Sequence, residues 1–198
     1  MGKKGGEGMI FCQKIGGQVC TQIEKTPVFD QEFDLVVIGL GVAGAIACIE
    51  GARSGLKTLG IESLTSMGGM GTNGAILGYY FGTEGGSYEK IDAESLTYNG
   101  SCFVFSGGSY GAESKKYVLD EAARRYDAHI LYESVCIGVY REDTRVTGVR
   151  LWTPEGEKNV SCRILIDGTG NADVCALAGC ETVSGRDLDG RMQPFSSV

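Results

Sequence analysis

The sequence is poor in the residues on which hydrolytic and metal-dependent catalysis usually depends. Its 198 residues include one histidine, His129, which stands at the start of a predicted strand, where a packing role is expected. Without that residue no Ser-His-Asp set can be assembled, and no second histidine exists to share a metal ion. Hydrolase and metalloenzyme functions are therefore disfavoured, and no metal site is predicted.

Features that direct proteins to membranes or nucleic acids are also missing. No apolar run approaches the roughly 18 residues of a membrane span. Residues 1–8 lack the apolar centre of a secretion signal and the Ser or Thr that myristoylation requires. The 18 basic and 25 acidic residues give a net charge of −7 without a basic patch. We expect a cytoplasmic protein with neither nucleic acid nor membrane among its partners.

The eight cysteines contain no C-x-x-C pair, so neither a zinc knuckle nor a thioredoxin-type redox pair is indicated. Cys48 falls on a predicted helix, and Cys136 and Cys162 fall in predicted strands, where a cysteine packs as a small hydrophobic residue. We expect structural thiols in a reduced compartment.

Glycine is abundant, with 32 residues, and three of them form a G-x-G-x-x-G motif. Gly39, Gly41 and Gly44 directly follow Phe33–Ile38, a short apolar run typical of a buried parallel strand. In such a motif the first glycine permits a sharp turn and the second lets the backbone approach a phosphate. The third lets helix and strand pack closely.

The residues after the motif complete a β–α–β unit. Val42–Ser54 predicts a helix whose N-terminal amides and dipole favour an anion, and Lys57–Ile61 predicts the second strand. Glu62, at the end of that strand, is placed to accept hydrogen bonds from ribose hydroxyls. The unit therefore predicts a dinucleotide site, and the acid favours FAD or NAD over NADP.

The glycine spacing by itself is weak evidence, because a chain so rich in glycine produces it by chance. It occurs again at Gly69, Gly71 and Gly74, but no apolar strand precedes that copy. The second copy is therefore not interpreted as another nucleotide-binding fold.

Two stretches lack a regular pattern. Residues 1–32 predict a poorly ordered leader, with a short strand around Gln18–Ile23. Residues 68–111 predict a long loop rich in glycine and aromatic residues. Its aromatic side chains either line a pocket for a flat ring or anchor the loop on the core, and the sequence leaves both alternatives open.

The C-terminal half mixes helix and strand signals. Ala112–Tyr126 has an apolar stripe at helical spacing, and Ala128–Glu133 predicts a third parallel strand. A buried strand, Arg163–Ile166, leads through a second glycine turn at residues 167–173 into a short helix, Ala172–Ala178. That turn is also suited to face a phosphate or flavin. Before it, three short β segments predict an antiparallel meander: Val135–Arg141, Arg145–Thr153 and Lys158–Cys162.

This order of parts resembles the FAD-dependent oxidoreductases of the glutathione-reductase-like fold. The resemblance rests on the G-x-G-x-x-G unit with Glu62, on Gly68, Gly69 and Thr72 in an E-x5-GG-x-x-T pattern, and on a strand ending in DGTG after the meander. It covers about residues 33–198. It implies an α/β, Rossmann-like FAD/NAD(P)-binding domain with a central parallel sheet, helices on one face and a three-stranded antiparallel β-meander.

The resemblance also implies which residues bind the cofactor, FAD. Glu62 would hold the adenosine ribose, the backbone of Val135 would contact adenine, and the two glycine turns would converge on this one elongated ligand. No catalytic acid or base is named. The pyrophosphate would be lined by Gly39, Gly41, Val42, Ala43 and Gly44, the adjoining segment would be Gly68, Gly69 and Thr72, and the second turn would be Gly168, Thr169, Gly170 and Asp173.

The expected organisation is a leader at 1–32, an FAD-binding domain at 33–184 and the start of a substrate domain at 185–198. The resemblance implies an FAD-dependent oxidoreductase that moves a hydride between a small-molecule substrate and the flavin. The expected partners are the small-molecule substrate and either a second copy of the chain, as a homo-oligomer, or a missing C-terminal half. Two alternatives stay open. One is a non-catalytic FAD-binding fragment or subunit that needs a partner, and the other is a NAD-dependent dehydrogenase.

Overall fold

The computed structural model describes residues 8–78, 85–98 and 110–192. In these ranges eight strands form one sheet, in the order β2-β1-β6-β7-β8-β3-β4-β5. The strands are β1 (Met9–Ile15), β2 (Gln18–Glu24), β3 (Gln31–Ile38), β4 (Thr58–Ile61), β5 (His129–Leu131), β6 (Val135–Glu142), β7 (Arg145–Thr153) and β8 (Gly156–Asp167). The helices are α1 (Val42–Arg53), α2 (Ser87–Thr97), α3 (Ala112–Arg125) and α4 (Asp173–Leu177), with a 3-10 turn at Gly69–Gly71.

Four strands form the predicted parallel sheet. β3 pairs in parallel with both β4 and β8, and β5 adds to the far side of β4. β3 is apolar throughout its second half because it is buried on both faces: Val36 packs with the meander and Val37 packs with the helices. The carboxyl ends of β3, β4 and β8 consequently meet at one edge of the sheet, where ligands bind in open α/β sheets.

The three long helices cover one face of the sheet, as predicted. Ile49 of α1, Ile91 of α2 and Leu119 of α3 belong to a single apolar cluster with the β3 side chains on that face. The short α4 lies on the opposite face, where Val174 and Leu177 pack with the meander. None of the helices in the described part of the chain has the length and hydropathy needed to cross a membrane.

The meander consists of β6, β7 and β8, but its last strand is longer than predicted. The expectation of two separate strands at Lys158–Cys162 and Arg163–Ile166 is wrong, because β8 runs unbroken from Gly156 to Asp167. No turn residue stands between the two halves. The first half pairs with β7 and most of the strand pairs with β3, so β8 joins the meander directly to the parallel sheet.

The prediction of a poorly ordered leader is wrong for residues 9–24. β1 and β2 form a hairpin, and β1 also pairs with β6. Phe11 is fully buried, with its ring centroid 4.8 Å from that of Tyr140. The strand expected around Gln18–Ile23 is present as β2. The strand that was not predicted is β1, because its buried residues Met9, Phe11 and Cys12 do not alternate strictly with exposed ones and its last two residues are exposed.

The predicted loop at 68–111 contains the 3-10 turn and helix α2, so it is not loop throughout. Only Ile91 and Ser95 of α2 are buried. Two buried positions are too few to produce a helical period of apolar residues in the sequence, so the helix was not predicted. Tyr98 packs in the helix-side cluster. The aromatic residues Tyr79, Tyr80, Phe81, Phe103 and Phe105 lie outside the described residues.

Candidate functional site

A cavity of about 1100 Å³ lies at the carboxyl ends of β3, β4 and β8. Its wall is formed by both glycine turns, the start of β6, α4 and the tip of the β1–β2 hairpin. Ten of the fourteen predicted site residues line it: Gly39, Gly41, Val42, Glu62, Gly69, Val135, Gly168, Thr169, Gly170 and Asp173.

The two glycine turns touch each other at the base of this cavity. The Gly168 N–H donates to the Ile38 carbonyl at 2.7 Å. A Cβ on Gly39 would lie 2.9 Å from the Gly168 carbonyl carbon, and one on Gly168 would overlap the Gly39 oxygen. Gly39 also has φ of +82°, which disfavours any other residue. Segments about 130 residues apart in sequence therefore form one continuous wall.

The first turn opens α1 toward the cavity. Gly41 is the N-cap residue, and the helix start has neither a capping side chain nor an acidic residue in its first turn. A Cβ on Gly41 would meet no atom within 4 Å, so this position faces open space. Because the first N–H groups of a helix have no intrahelical acceptor, the arrangement suits an anionic group.

Two residues of the motif, Gly44 and Ala43, do not line the cavity. Gly44 is buried, and a Cβ there would overlap the Gly39 carbonyl oxygen, so its missing side chain lets α1 pack on the turn. Ala43 is exposed and does not line the cavity.

Glu62 lies on the wall at the end of β4 with its carboxylate fixed by local hydrogen bonds. Oε2 accepts from the Leu40 N–H at 2.8 Å, and Oε1 accepts from the Leu64 N–H at 2.9 Å and the Ser63 hydroxyl at 3.1 Å. The residue is 7% exposed. A carboxylate offers about four acceptor positions, so these three bonds orient Glu62 and leave it able to accept from a ligand hydroxyl.

The Gly68-Gly69 pair lies against the first glycine turn. The Gly68 N–H donates to the Leu40 carbonyl at 2.8 Å, and a Cβ on Gly69 would lie 2.9 Å from the Gly41 Cα. Gly69 lines the cavity, whereas Gly68 and Thr72 do not. Thr72 is buried, and its hydroxyl donates to the Met67 carbonyl at 2.7 Å. Thr72 therefore holds the segment in place from behind.

Asp167, which the sequence analysis did not select, organises the second turn. Its Oδ1 accepts from the N–H and the hydroxyl of Thr169 at 2.9 and 2.6 Å, and its Oδ2 accepts from the Cys175 N–H at 2.7 Å. Burial opposes ionisation of this carboxyl, but the hydrogen bonds from Thr169 and Cys175 prevail and lower its pKa. An Asp two residues before a Thr, at a strand end, is the pattern that would have identified this turn.

Another part of the wall comes from the start of β6 and from the hairpin tip. Val135, Cys136 and Ile137 line it, together with Lys14, Gly17 and Val19. Burial raises the pKa of the Cys136 thiol to about 12, so this cysteine is neutral, as expected for a structural thiol. The sequence analysis does not predict Lys14, Gly17 and Val19 as site residues, because it predicts a poorly ordered leader over residues 1–32.

A second cavity, of about 370 Å³, lies between α1, α2 and α3. Tyr88 and Tyr110 line it, so some aromatic residues of the predicted loop do form a pocket while Tyr98 anchors on the core. Lys115 is 7% exposed, and its Nζ lies 2.7 Å from Asp92 Oδ1 and 3.0 Å from the Tyr110 hydroxyl. The Lys115–Asp92 contact is ionic and lacks the angles of a hydrogen bond.

Comparison with known proteins identifies one family. The family model described as FAD dependent oxidoreductase matches residues 34–198. Among curated proteins, 2-oxo-Delta(3)-4,5,5-trimethylcyclopentenylacetyl-CoA monooxygenase of Pseudomonas putida is 32% identical over 151 residues. These residues are 69% of this chain and 25% of that protein, so the chain spans about a quarter of the length of this curated relative.

Solved structures share the fold at low sequence identity. A geranylgeranyl bacteriochlorophyll reductase-like protein from Thermoplasma acidophilum has a TM-score of 0.52 at 22% identity, over 76% of this chain and 43% of that one. THI4 of Thermovibrio ammonificans has a TM-score of 0.51 at 15% identity, over 78% and 67%. OxyS anhydrotetracycline hydroxylase from Streptomyces rimosus has a TM-score of 0.51 at 20% identity, over 79% and 35%. These likenesses confirm the predicted fold class.

Proposed function

The chain belongs to the FAD dependent oxidoreductase family, whose cofactor is FAD, and from this premise we propose that residues 33–184 bind FAD in the cavity of about 1100 Å³. The protein would act as an oxidoreductase that transfers a hydride between a small-molecule substrate and the flavin. Bound FAD would supply the redox-active ring, and the residues that line the cavity would bind and orient it. The name of the curated relative, a monooxygenase, also denotes an oxidoreductase.

One observation carries the proposal: an uncapped helix start faces a cavity across a glycine with open space above it. Gly41 would let the cofactor pyrophosphate approach the first N–H groups of α1. Glu62, already fixed by three hydrogen bonds, would accept from the adenosine ribose.

The remaining predicted residues extend this assignment along the cavity. The backbone of Val135 would contact adenine, and Gly69 would follow the pyrophosphate beside the first turn. Gly168, Thr169, Gly170 and Asp173 would form the second contact with the cofactor. Residues 185–198 would begin a substrate domain.

The two-turn wall favours FAD over the NAD-dependent alternative. The NAD-dependent alternative explains residues 33–62 equally well, but it gives no reason for the contact of Gly69 with Gly41 or for the contact of Gly168 with Gly39. Both contacts form part of the same cavity. A ligand that extends past both glycine turns would give each of these contacts a role.

The test is to purify the chain, record its visible spectrum, and identify the nucleotide released on denaturation. FAD gives bands near ~375 and ~450 nm, and chromatography distinguishes it from NAD. Gly41→Val should lower the flavin content because the added methyl groups enter the open space above Gly41. The control is Ser54→Val, at the exposed C-terminal end of the same helix.

A colourless protein that cannot be reconstituted with FAD, or one that releases NAD, would contradict the proposal. Equal flavin content in Gly41→Val and Ser54→Val would remove the assigned role of Gly41. Tight FAD binding with no turnover of any reductant would favour the non-catalytic FAD-binding subunit.

A further inference from the structure

We propose that the β1–β2 hairpin is a binding element of the FAD cavity, and that Lys14 at its tip attracts the negatively charged pyrophosphate of the cofactor. The hairpin precedes the region that matches the family model, which begins at residue 34, so the family match assigns it no role. The inference rests on the proposed function and adds a charged contact to it.

The hairpin is built to hold its tip in a fixed place. Gly16 and Gly17 have φ of +56° and +86°, the signs of a type I′ turn, whose twist matches that of the paired strands. β1 pairs with β6 from Ile10 opposite Arg141 to Gln13 opposite Gly138. Lys14 follows directly after this paired stretch.

This placement brings the tip beside the start of β6. Residues 135–137 of β6 line the cavity, as do Lys14, Gly17 and Val19 of the hairpin. Phe11, fully buried against Tyr140, anchors the base of the hairpin on β6. The tip is therefore a structured part of the wall, positioned by the sheet.

The charges on the wall single out Lys14. The charged residues that line the cavity within the described ranges are Lys14, Glu62 and Asp173. Neither acid can attract the pyrophosphate, which carries two negative charges. Lys14 is the one basic side chain among these lining residues.

No partner within residues 8–78, 85–98 and 110–192 neutralises Lys14, because none of their ion pairs or side-chain hydrogen bonds involves it. A lysine ammonium on a flexible four-carbon stem is a mobile point charge that can adjust to a phosphate. In a chain with a net charge of −7, such a local cation matters for attracting an anionic ligand.

The first experiment compares Lys14→Glu with Lys25→Glu in the full chain. Lys25 is exposed, follows β2 and does not line the cavity, so both variants change the net charge equally. Dissociation constants are measured by fluorescence titration for FAD, ADP and uncharged adenosine. We expect Lys14→Glu to raise the dissociation constants of FAD and ADP by about three- to tenfold. The dissociation constant of adenosine should rise by less than about twofold. Lys25→Glu should leave all three unchanged.

The second experiment uses the unmodified protein, so it does not depend on the folding of a variant. The chain is acetylated with a lysine-reactive reagent in the absence and presence of saturating FAD, and each lysine is quantified by mass spectrometry. We expect FAD to slow the acetylation of Lys14 by about threefold or more and to leave Lys25 unaffected.

Each outcome discriminates. If the wild-type chain does not bind FAD, the proposed function fails. If it binds FAD but Lys14→Glu behaves as Lys25→Glu, or FAD leaves Lys14 acetylation unchanged, the hairpin proposal is overturned while the proposed function stands. Equal weakening of adenosine and ADP would also overturn it, because Lys14 would then not recognise phosphate charge.

Discussion

Gly39 and Gly168 lie in such close backbone contact that neither position has room for a side chain. A Cβ on Gly39 would come within 2.9 Å of three backbone atoms of residues 168–169, and one on Gly168 would overlap the Gly39 carbonyl oxygen. Each turn is therefore shaped by the other. A ligand that binds between them depends on both, although they are far apart in the sequence.

Replacing Gly168 by Ala should destabilise the protein while the same change at Gly170 should not. The new methyl group at position 168 forces backbone apart, which typically costs about 1–3 kcal/mol. A Cβ at Gly170 meets no atom within 4 Å. Thermal unfolding should show a midpoint lowered by roughly 2–12 °C for Gly168→Ala and nearly unchanged for Gly170→Ala. Equal midpoints would mean that the two turns are not in contact.

The sequence predicted the parallel part of the fold because its signals are local. Leu35–Ile38 is a continuous apolar run that is buried on both faces, and the glycine turn with its helix follows at once. The second turn was found in the same way. The contact between the two turns, through Gly39 and Gly168, is a tertiary contact. Only the family resemblance indicated that the turns lie together.

The parts that the sequence missed depend on long-range partners. In the sequence, Phe11 is a single aromatic residue in a segment of mixed composition. Its burial depends on Tyr140, from a strand distant in the sequence, which packs against it. Asp167 has a local signal in Thr169, two residues later, but its third donor, the Cys175 N–H, reaches the carboxylate only when the turn folds back. Composition and period do not contain such pairings.

Glu62→Gln should weaken both the fold and FAD binding. The Gln amide oxygen can replace only one carboxylate oxygen, so its NH2 group would face either the Leu40 N–H or the donors of residues 63 and 64. A buried donor left without an acceptor costs about 1–3 kcal/mol. Urea unfolding should show this loss, and titration should show a higher dissociation constant for FAD.

The matched control for this variant is Glu142→Gln. Glu142 lies exposed at the end of β6, so the same loss of charge occurs without loss of a buried acceptor. Its unfolding free energy should stay within about 0.5 kcal/mol of wild type. If Glu62→Gln were equally mild, the hydrogen bonds to Leu40 and Leu64 would not be formed in solution.

Phe11→Ala tests whether the N-terminal hairpin is part of the folded domain. Phe11 is fully buried against Tyr140, and deletion of a buried aromatic side chain typically costs about 3–5 kcal/mol. Ile23→Ala, on the same hairpin at a side chain 79% exposed, should cost less than about 0.5 kcal/mol. Chemical denaturation measures both, and a poorly ordered leader would make both changes negligible.

Asp167→Asn should cost stability in a pH-dependent way. In the native state hydrogen bonds to the carboxylate hold the pKa of Asp167 below its ordinary value of 3.8. The ionised group therefore stabilises the fold at pH above about 4, and this contribution is lost as the pH falls through the lowered pKa. An Asn amide would turn its NH2 group toward the N–H of Cys175 or of Thr169, which costs about 1–3 kcal/mol at neutral pH.

Urea unfolding of wild type and Asp167→Asn between pH 7 and pH 2.5 measures this difference directly. The difference in unfolding free energy between wild type and Asp167→Asn should be largest at pH 6–7. It should become smaller below pH 4, because the protonated wild-type carboxyl also loses acceptor capacity. Asp143→Asn, at an exposed turn position, should show no gap at any pH. A gap for Asp167→Asn that stays constant down to pH 2.5 would show that the hydrogen bonds from Thr169 and Cys175 do not depend on the ionised carboxylate.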